Sequence, residues 1–474
     1  GLDVDADSTV TSLTVANITP VSIASGSILS GGITVSAGSI KLNETGTLAS
    51  SISMSGGVLD ADESLTVSGA LSHSADITID VATNKTFTYS GATISVGANT
   101  ITLTGGGNLV SGGLTLNDAN SKLLLNSITL DSASTSADSL GLDVNANSTV
   151  TSLLVGHMTP VSIAAGKRLS GVITVSAGSL KLNETGTLAS NITMGGGTLD
   201  ADETSTVSGA LTQTGDITID VATGKTLTYY SGTNVRIGAN TLTVIGGGTL
   251  SNQNAIVLDN VDSKLLLNTV TVDSVSTSAD SLGLDVDADS TVTSLSVGHT
   301  TPVSIAANKT LSGGITVTAG SLKLAETGTL ASTVSMSGGT LDADETLTVS
   351  GALTQTADIA IDVATGKTLT YSGAAVNLGG KTLTLSGGGT LGNTNALVLN
   401  NTNSKLQLDS ITLSRASTSA NSLGLDVNAN STVTSLSVGH KTPVSIASTK
   451  TLSGAISVSA GSIKLNETGT LASS

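Results

Sequence analysis

Aliphatic and polar residues alternate along short segments throughout the chain. In the segment Ile40–Ser51, Ile40 and Leu42 alternate with polar residues, a polar turn follows, and Leu48 resumes the alternation. A period of two, interrupted every few residues by Gly, Asn or Ser, is typical of half-buried β-strands rather than of amphipathic helices. The segment returns almost unchanged at three later places: Leu180–Ser190, Leu322–Ser332 and Ile463–Ser474. The pattern predicts an all-β chain built from one small unit repeated many times.

A long repeat of about 140 residues organises these segments. The motif GLDV begins at four positions: Gly1, Gly141, Gly283 and Gly424. The prolines and three of the tyrosines keep the same step. The predicted divisions are repeats 1–140, 141–282 and 283–423 and a partial repeat 424–474. Because the chain starts at Gly1 rather than Met and stops partway through a repeat, we expect it to be a segment of a longer protein.

A shorter period lies inside each long repeat. In the first repeat, comparable strand starts recur every 18 to 24 residues, at Leu2, Val21, Ile40, Val58, Ile77, Ile101 and Leu123. Seven units of about 20 residues match the coils of a parallel β-helix, or β-solenoid. Each coil is expected to read strand, turn, strand, turn, strand, with Gly or Asn-Ser at the corners. We predict one continuous rod, because a single coil cannot bury its own apolar face.

Composition favours this solenoid over a string of β-sandwich domains. Aromatic residues make up only 1% of the chain, and Trp and Cys are absent. Sandwich domains typically carry a distinctive aromatic core, with turns every ~10 residues. Hydrophobic residues at 38%, spread evenly, suit a narrow aliphatic core, and a charged fraction of 11% does not fit a disordered chain.

The net charge of −17 excludes some partners. Binding to phosphates requires clustered Lys and Arg, so nucleic acid is not expected as a partner. No apolar run approaches the ~18 residues needed to cross a bilayer, so no membrane insertion of this segment is expected. The lack of Cys excludes disulfides and thiolate metal sites.

The form of the coils resembles a known class of proteins. Segments of the type L-x-V, L-x-S-G and I-x-V, joined by GTL and SGG turns, resemble the β-solenoid regions of large bacterial surface proteins of the autotransporter-passenger and filamentous-haemagglutinin type. The resemblance spans the whole chain and is periodic and compositional. It implies an extracellular or cell-surface fibre or stalk that provides length, stiffness and surface display. The alternative is an adhesin that binds a host, prey or matrix surface polymer. Self-association into a fibre or bundle is also expected.

Two sets of acidic residues are candidates for a weak calcium site, and no other cofactor is expected. A spacing of two places such side chains on one face of a strand, where oxygen ligands can gather around Ca²⁺. The candidates are Asp3, Asp5, Asp7, Asp60, Asp62, Glu63, Asp285, Asp287 and Asp289. Two observations favour solvated turn residues instead. The glycine-rich nonapeptide of calcium β-rolls is absent, and Asn145 and Asn147 replace aspartates in the second repeat.

No catalytic residue is predicted, and the chain is not expected to be an enzyme. A polysaccharide hydrolase needs one singular pair of carboxyl groups with separated pKa values, whereas every acidic pair here recurs along the chain. His157, His299 and His440 occupy one position of the long repeat and are predicted to lie in turns. His73 stands apart from this repeated position and is likewise expected to have no functional role.

Two smaller features recur once per long repeat. Tyr89, Tyr229 and Tyr371 form the only aromatic column and are predicted to fill the core or a corner rather than to bind a ligand. Lys41 and Glu44 are predicted to form an exposed ion pair, which contributes under ~1 kcal/mol.

The threonines of Thr100–Thr104 raise an ice- or crystal-binding function. Such a function requires a regular threonine array on every coil. The equivalent positions in other coils hold Ser, Lys, Asp and Gly, which argues against it.

Overall fold

The computed structural model describes residues 1–473, and these contain strands and turns but no helix. The strands stack in parallel about 20 residues apart and form a β-solenoid of about 24 coils, which confirms the predicted fold class. The chain divides into two compact units, Gly1–Thr233 and Asn234–Ser474. The four long repeats and their continuity as one rod stay predictions. Ser474, the last residue of the predicted partial repeat, lies outside the described residues.

The strands of the first unit are, in chain order, Leu2–Val4, Ser8–Val15, Thr19–Ile23, Ile28–Val35, Ser39–Leu42, Thr47–Leu48, Ser51–Met54, Val58–Ala61, Leu65–Val67, Leu71–His73, Ile77–Val81, Thr86–Tyr89, Ile94–Ser95, Thr100–Thr104, Asn108–Ser111, Leu114–Leu116, Lys122–Leu125, Thr129–Thr135, Gly141–Val144, Ser148–Val155, Thr159–Ile163, Arg168–Val175, Ser179–Leu182, Thr187–Leu188, Asn191–Met194, Thr198–Ala201, Ser205–Val207, Leu211–Gln213, Ile217–Val221 and Thr226–Tyr229.

The strands of the second unit are, in chain order, Val235–Arg236, Thr241–Ile245, Thr249–Asn252, Ile256–Leu258, Lys264–Asn268, Thr271–Thr277, Gly283–Val286, Ser290–Val297, Thr301–Ile305, Thr310–Val317, Ser321–Leu324, Thr329–Leu330, Thr333–Met336, Thr340–Ala343, Leu347–Val349, Leu353–Gln355, Ile359–Val363, Thr368–Tyr371, Val376–Asn377, Thr382–Ser386, Thr390–Asn393, Leu397–Leu399, Lys405–Leu408, Thr412–Thr418, Gly424–Val427, Ser431–Val438, Thr442–Ile446, Thr451–Val458, Ile463–Leu465 and Thr470–Ser473.

Two parallel sheets run through each unit. Sheet A takes one strand from every coil; Leu2–Val4 pairs with Thr19–Ile23, which pairs with Ser39–Leu42. Sheet B takes the remaining strand segments of each coil. In the second coil these segments are fused into the single strand Ile28–Val35, which bends at Gly31, where φ is 115°. The sequence predicted two strands here, and the glycine bend lets one strand turn the corner.

Inward aliphatic side chains stack in ladders along the core. Ile40 pairs with Leu59, and Leu59 pairs with Ile79; all three side chains are 0% exposed. Successive strands lie ~4.8 Å apart, so like residues of neighbouring coils touch directly. Val35 is 0% exposed, whereas its counterpart Val458 in one of the last described coils is 51% exposed. Burial in each coil therefore depends on the coil that covers it.

The predicted strand starts all lie within two residues of the strand starts of sheet A, and three of them coincide: Leu2, Val58 and Ile77. Ile101 pairs with Leu123, as the period predicts. Val21 was predicted as a strand start, but this strand begins at Thr19, and Thr19 is the residue that pairs with Ile40. The two-residue extension includes a proline, which cannot donate to a sheet ladder and is therefore disfavoured inside a strand.

Threonine occupies outward positions of sheet B in coil after coil. Thr47 pairs with Thr66, and Thr66 pairs with Thr88. The second unit repeats this arrangement with Thr329, Thr348 and Thr370. This face is distinct from that of Thr100–Thr104, which belongs to sheet A. β-Branched residues favour strands, which gives this pattern a structural cause.

Candidate functional site

Lys41 lies between two carboxylates of the next coil. Its Nζ is 2.6 Å from Oδ2 of Asp62 and 3.3 Å from Oδ2 of Asp60. Lys41 and Asp60 are paired in adjacent strands of sheet A, so their outward side chains stack directly. The predicted ion pair between Lys41 and Glu44 is wrong, because Glu44 lies in the following turn and the next coil brings two carboxylates closer.

The same arrangement recurs in the later long repeats. Nζ–Oδ2 distances are 3.0 Å for Lys181 and Asp200, 2.6 Å for Lys181 and Asp202, 3.9 Å for Lys323 and Asp342, and 2.8 Å for Lys323 and Asp344. Because each of these three acidic pairs meets one ammonium group, we call each group a charged column. The sequence period located these residues but did not reveal that lysine and aspartate meet across coils.

Two further calcium candidates also have lysine partners. Glu63 lies 2.5 Å from Nζ of Lys85, and Asp285 lies 2.5 Å from Nζ of Lys264. The side chains of Asp3, Asp5 and Asp287 are exposed.

Asp7 and Asp289 serve a backbone role. Each lies at a corner where its Oδ1 accepts an N–H group of the next coil. The pairs are Asp7 with Ile28 N (3.0 Å), Asp289 with Thr310 N (2.8 Å) and Asn430 with Thr451 N (2.9 Å). An amide oxygen accepts as well as a carboxylate oxygen does, which explains why Asp and Asn interchange at this position.

Calcium binding stays a prediction. Within residues 1–473, no group of three or more His, Asp or Glu side chains has the arrangement of a metal site. A cation at Asp60 and Asp62 would have to displace the ammonium group of Lys41 from between them.

Asp80 extends the charged column of the first long repeat by one coil, since it pairs with Asp60 in sheet A. Burial raises the pKa of Asp80 above its ordinary value; Asp60 and Asp62 raise it further, and Lys41 lowers it. The pKa of Lys41 is raised in turn, chiefly by its hydrogen bond to Asp62. Asp220 in the second long repeat shows the same upward pKa shift, again mainly from burial. Each column therefore holds more negative charge than its lysine balances.

The hydroxyl group of Tyr89 accepts a hydrogen bond that a backbone carbonyl group would otherwise accept in sheet B. Strand Leu71–His73 pairs with Ser51–Met54 on one side. On the other side, the N–H group of Leu71 donates to the Tyr89 hydroxyl at 3.0 Å. The tyrosine is 3% exposed, which confirms the prediction that it fills the core. Equivalent contacts join Leu211 to Tyr229 at 3.0 Å and Leu353 to Tyr371 at 3.1 Å.

A polar side chain of strand Leu71–His73 also forms hydrogen bonds on the side where the backbone ladder of sheet B is interrupted. His73 lies at a strand end, with Nδ1 3.2 Å from the Ala75 oxygen and Nε2 2.9 Å from the Ser95 oxygen. In the third repeat, Gln355 holds this position and donates from Nε2 to the Leu378 oxygen at 3.0 Å. We call the tyrosine and this polar residue together the tyrosine seam.

The other histidines lie in bends, as predicted: His157, His299 and His440. Nδ1 of His157 is 3.9 Å from Oδ1 of Asp138. The carboxylate also accepts the N–H group of Met158 at 2.9 Å, so this contact belongs to a structured corner.

Comparison with protein-family models, with curated proteins and with solved structures found no match. The resemblance to bacterial surface proteins therefore extends as far as the parallel β-solenoid itself. None of the elements in residues 1–473 is a helix long and apolar enough to cross a membrane.

Proposed function

We propose that this chain is a structural segment of an extracellular fibre or stalk, which provides length, stiffness and surface display. The observation that supports the proposal is the arrangement of backbone hydrogen bonds. Within each unit, every coil pairs with its neighbours through parallel ladders in two sheets. A load along the stacking direction is shared among the hydrogen bonds of both sheets and the aliphatic core between them.

The surface charge supports the same function. A net charge of −17 keeps neighbouring copies soluble and apart, while the lysines of the charged columns offset repulsion within each unit. We also propose that the chain lies at the cell surface or in the extracellular matrix and that it self-associates into a fibre or bundle. Antibody labelling of intact and of permeabilised source cells tests the location, because a surface protein is labelled equally in both.

Single-molecule stretching of the whole chain, tethered at its two ends, tests the mechanical role. One coil of about 20 residues extends by roughly 70 Å when its strands separate, at ~3.4 Å per residue. We expect a series of force steps with length increments near multiples of this value. Extension without resolved steps, at forces typical of an unfolded chain, contradicts the proposal.

A further inference from the structure

A polar groove lies at the same corner of both units. In the second unit it has a volume of about 450 Å³ and is lined by segments 247–248, 269–271 and 289–291 together with Thr310 and Ser312. In the first unit a groove of about 270 Å³ is lined by the residues one long repeat earlier, at 127–129, 147–149, 168 and 170, with Gly106. Two independent copies of one concave surface therefore accompany the long repeat.

The lengths of the corner loops account for the groove. In the first unit, the loops that join sheet A to sheet B have four residues at 82–85 and 164–167. Between them, the loops 105–107, 126–128 and 145–147 have three residues each. Three short corners are thus recessed between two longer loops. Four coils, from the first short corner to the second long loop, span about 14 Å at ~4.8 Å per step.

The floor of the groove is rigid. Ser148 is 5% exposed and donates to the Ala146 oxygen at 3.0 Å, while it accepts the N–H group of Ile128 at 3.3 Å. In the second unit, Ser290 is 4% exposed and makes the equivalent bonds, to Ala288 at 2.9 Å and from Val270 at 3.4 Å. A ligand therefore meets a surface whose buried hydroxyl is already fixed in place.

The rim keeps a hydroxyl residue in a strained backbone conformation. Ser127, Thr269 and Ser410 occupy this corner in successive repeats, with φ of 59°, 53° and 56°. Glycine adopts this left-handed region without strain, whereas a β-branched residue such as Thr269 is unfavourable there. Strained residues of this kind concentrate at functional sites. A hydroxyl residue stands at all three of these positions, where glycine would be less strained.

The walls carry further hydroxyl groups. Thr129, Thr149 and Ser170 line the groove of the first unit. In the second unit, the hydroxyls of Thr291 and Ser312 lie 2.8 Å apart and are hydrogen-bonded to each other. Such groups both donate and accept hydrogen bonds.

The charge of the groove changes between copies, whereas the hydroxyl residues at 127, 129, 148, 149 and 170 of the first copy all recur as hydroxyl residues in the second. The first copy has Asn147 and Arg168, and the second has Asp289 and Thr310 at the same positions. The partial repeat 424–474 has Asn430 and Thr451 there. A ligand common to these copies is therefore uncharged and rich in hydrogen-bonding groups. No aromatic ring lines either groove, so the contacts are hydrogen bonds and each site is weak.

We propose that the grooves bind short stretches of a neutral polysaccharide, one stretch per long repeat. Weak sites on one chain gain strength when a single polymer occupies several of them, because later contacts form at a high effective concentration. Polysaccharide binding is an activity separate from the mechanical role. Stepwise stretching can persist without it, and binding can persist in a chain that fails to show steps.

Affinity electrophoresis of the whole chain in gels that contain dextran, galactomannan or laminarin tests this proposal. The variant T149V/T291V replaces one hydroxyl in each groove by a methyl group of the same shape. The matched control is T206V/T348V, on the same face of sheet B but outside the grooves. We expect at least one neutral polymer to retard the wild type, a roughly tenfold weaker effect on the groove variant, and no change in the control.

Three outcomes overturn the proposal. They are migration unaffected by every neutral polymer, equal retardation of the groove variant and the wild type, and stronger retardation by carboxymethyl-dextran than by dextran. Circular dichroism spectra of the two variants, compared with the wild type, establish that each one is folded.

Discussion

A β-carbon added to Gly141 would lie 1.8 Å from the carbonyl oxygen of Pro160 in the next coil. Gly141 has a φ of 79°, in the left-handed region that favours glycine. The same contact would be 1.9 Å between Gly283 and Pro302. The constant spacing of glycine and proline along the long repeat therefore has one structural cause: the two residues face each other in neighbouring coils.

Replacing this glycine by alanine is expected to destabilise the first unit strongly. Gly141→Ala combines backbone strain with a steric overlap that the neighbouring strand must relieve, at a total cost of about 3 kcal/mol. The matched control is Gly166→Ala, since Gly166 has a φ of 70° but no atom within 4 Å of an added β-carbon. The control isolates the backbone strain, at about 1 kcal/mol. Urea denaturation followed by circular dichroism measures both, and equal losses would contradict the steric explanation.

Removing the Tyr89 hydroxyl is expected to open the tyrosine seam locally. Tyr89→Phe leaves the half-buried N–H group of Leu71 without its acceptor, at a cost of about 1 kcal/mol. Hydrogen exchange at Leu71 should become faster, while exchange at Leu211 stays unchanged, because it donates to its own tyrosine. Tyr230→Phe is the control, since Tyr230 is 45% exposed. Unchanged protection at Leu71 would exclude this role of the hydroxyl.

The sequence predicts the aliphatic ladders of this fold well, because the residues that recur with the coil period are also the buried residues. Ile40 and Leu59 are aliphatic residues one coil apart, and the structure stacks them in register. The β-helix follows from that regularity, since an aliphatic residue in each coil requires a like residue above and below it. The regular spacing of glycine and proline was also evident from the sequence, but the contact between the two residues was not.

The polar residues were less predictable because their partners lie in other coils. Asn252 is 2% exposed; its Nδ2 donates to the Ser274 oxygen at 2.6 Å, and its Oδ1 accepts the N–H group of Asp273 at 3.1 Å. Nothing in the local alternation marks this asparagine as a core residue. The pairing of Lys41 with Asp62 was missed for the same reason, since local spacing suggested Glu44 instead.

The acceptor role of Asp289 predicts different effects for two substitutions. Asp289→Asn keeps an oxygen for the N–H group of Thr310, as Asn430 does for Thr451, and should leave stability unchanged. Asp289→Ala removes the acceptor and should cost about 1 kcal/mol. Hydrogen exchange at Thr310 checks both variants. Faster exchange in the asparagine variant would show that the negative charge, rather than the acceptor, is what matters.

Neutralising Asp80 is expected to stabilise the first unit at neutral pH. The pKa of this carboxyl group is raised in the folded chain, so its charged form is less favourable there than in the unfolded chain. Its contribution to stability is full below the ordinary carboxyl pKa and is lost as pH rises through the raised value. Asp80→Asn should therefore raise the free energy of unfolding at pH 7, with the difference disappearing in acid. The exposed Asp5→Asn, with the same change in net charge, is the control. A less stable Asp80→Asn protein at pH 7 contradicts the prediction.

Removing the lysine of a charged column should weaken folding and favour calcium. Lys41→Gln leaves Asp60, Asp62 and Asp80 without their shared counter-charge, at a cost of about 1 kcal/mol, because the lysine is one-third exposed. The raised pKa of Lys41 sets the direction of the pH dependence. Its stabilisation is present below the ordinary lysine pKa and is lost as pH rises through the raised value, so variant and wild type should converge in alkaline solution.

Calorimetric titration with Ca²⁺ tests whether Lys41 keeps calcium out of the charged column. With the ammonium group gone, the vacated carboxylates present clustered oxygen ligands, and we expect Lys41→Gln to bind Ca²⁺ more tightly than the wild type. Lys85→Gln is the matched control, because Lys85 meets the single carboxylate of Glu63 and its loss creates no such cluster. Tighter binding by the wild type than by Lys41→Gln would mean that calcium enters the column without displacing the lysine, which the 2.6 Å contact between Lys41 and Asp62 argues against.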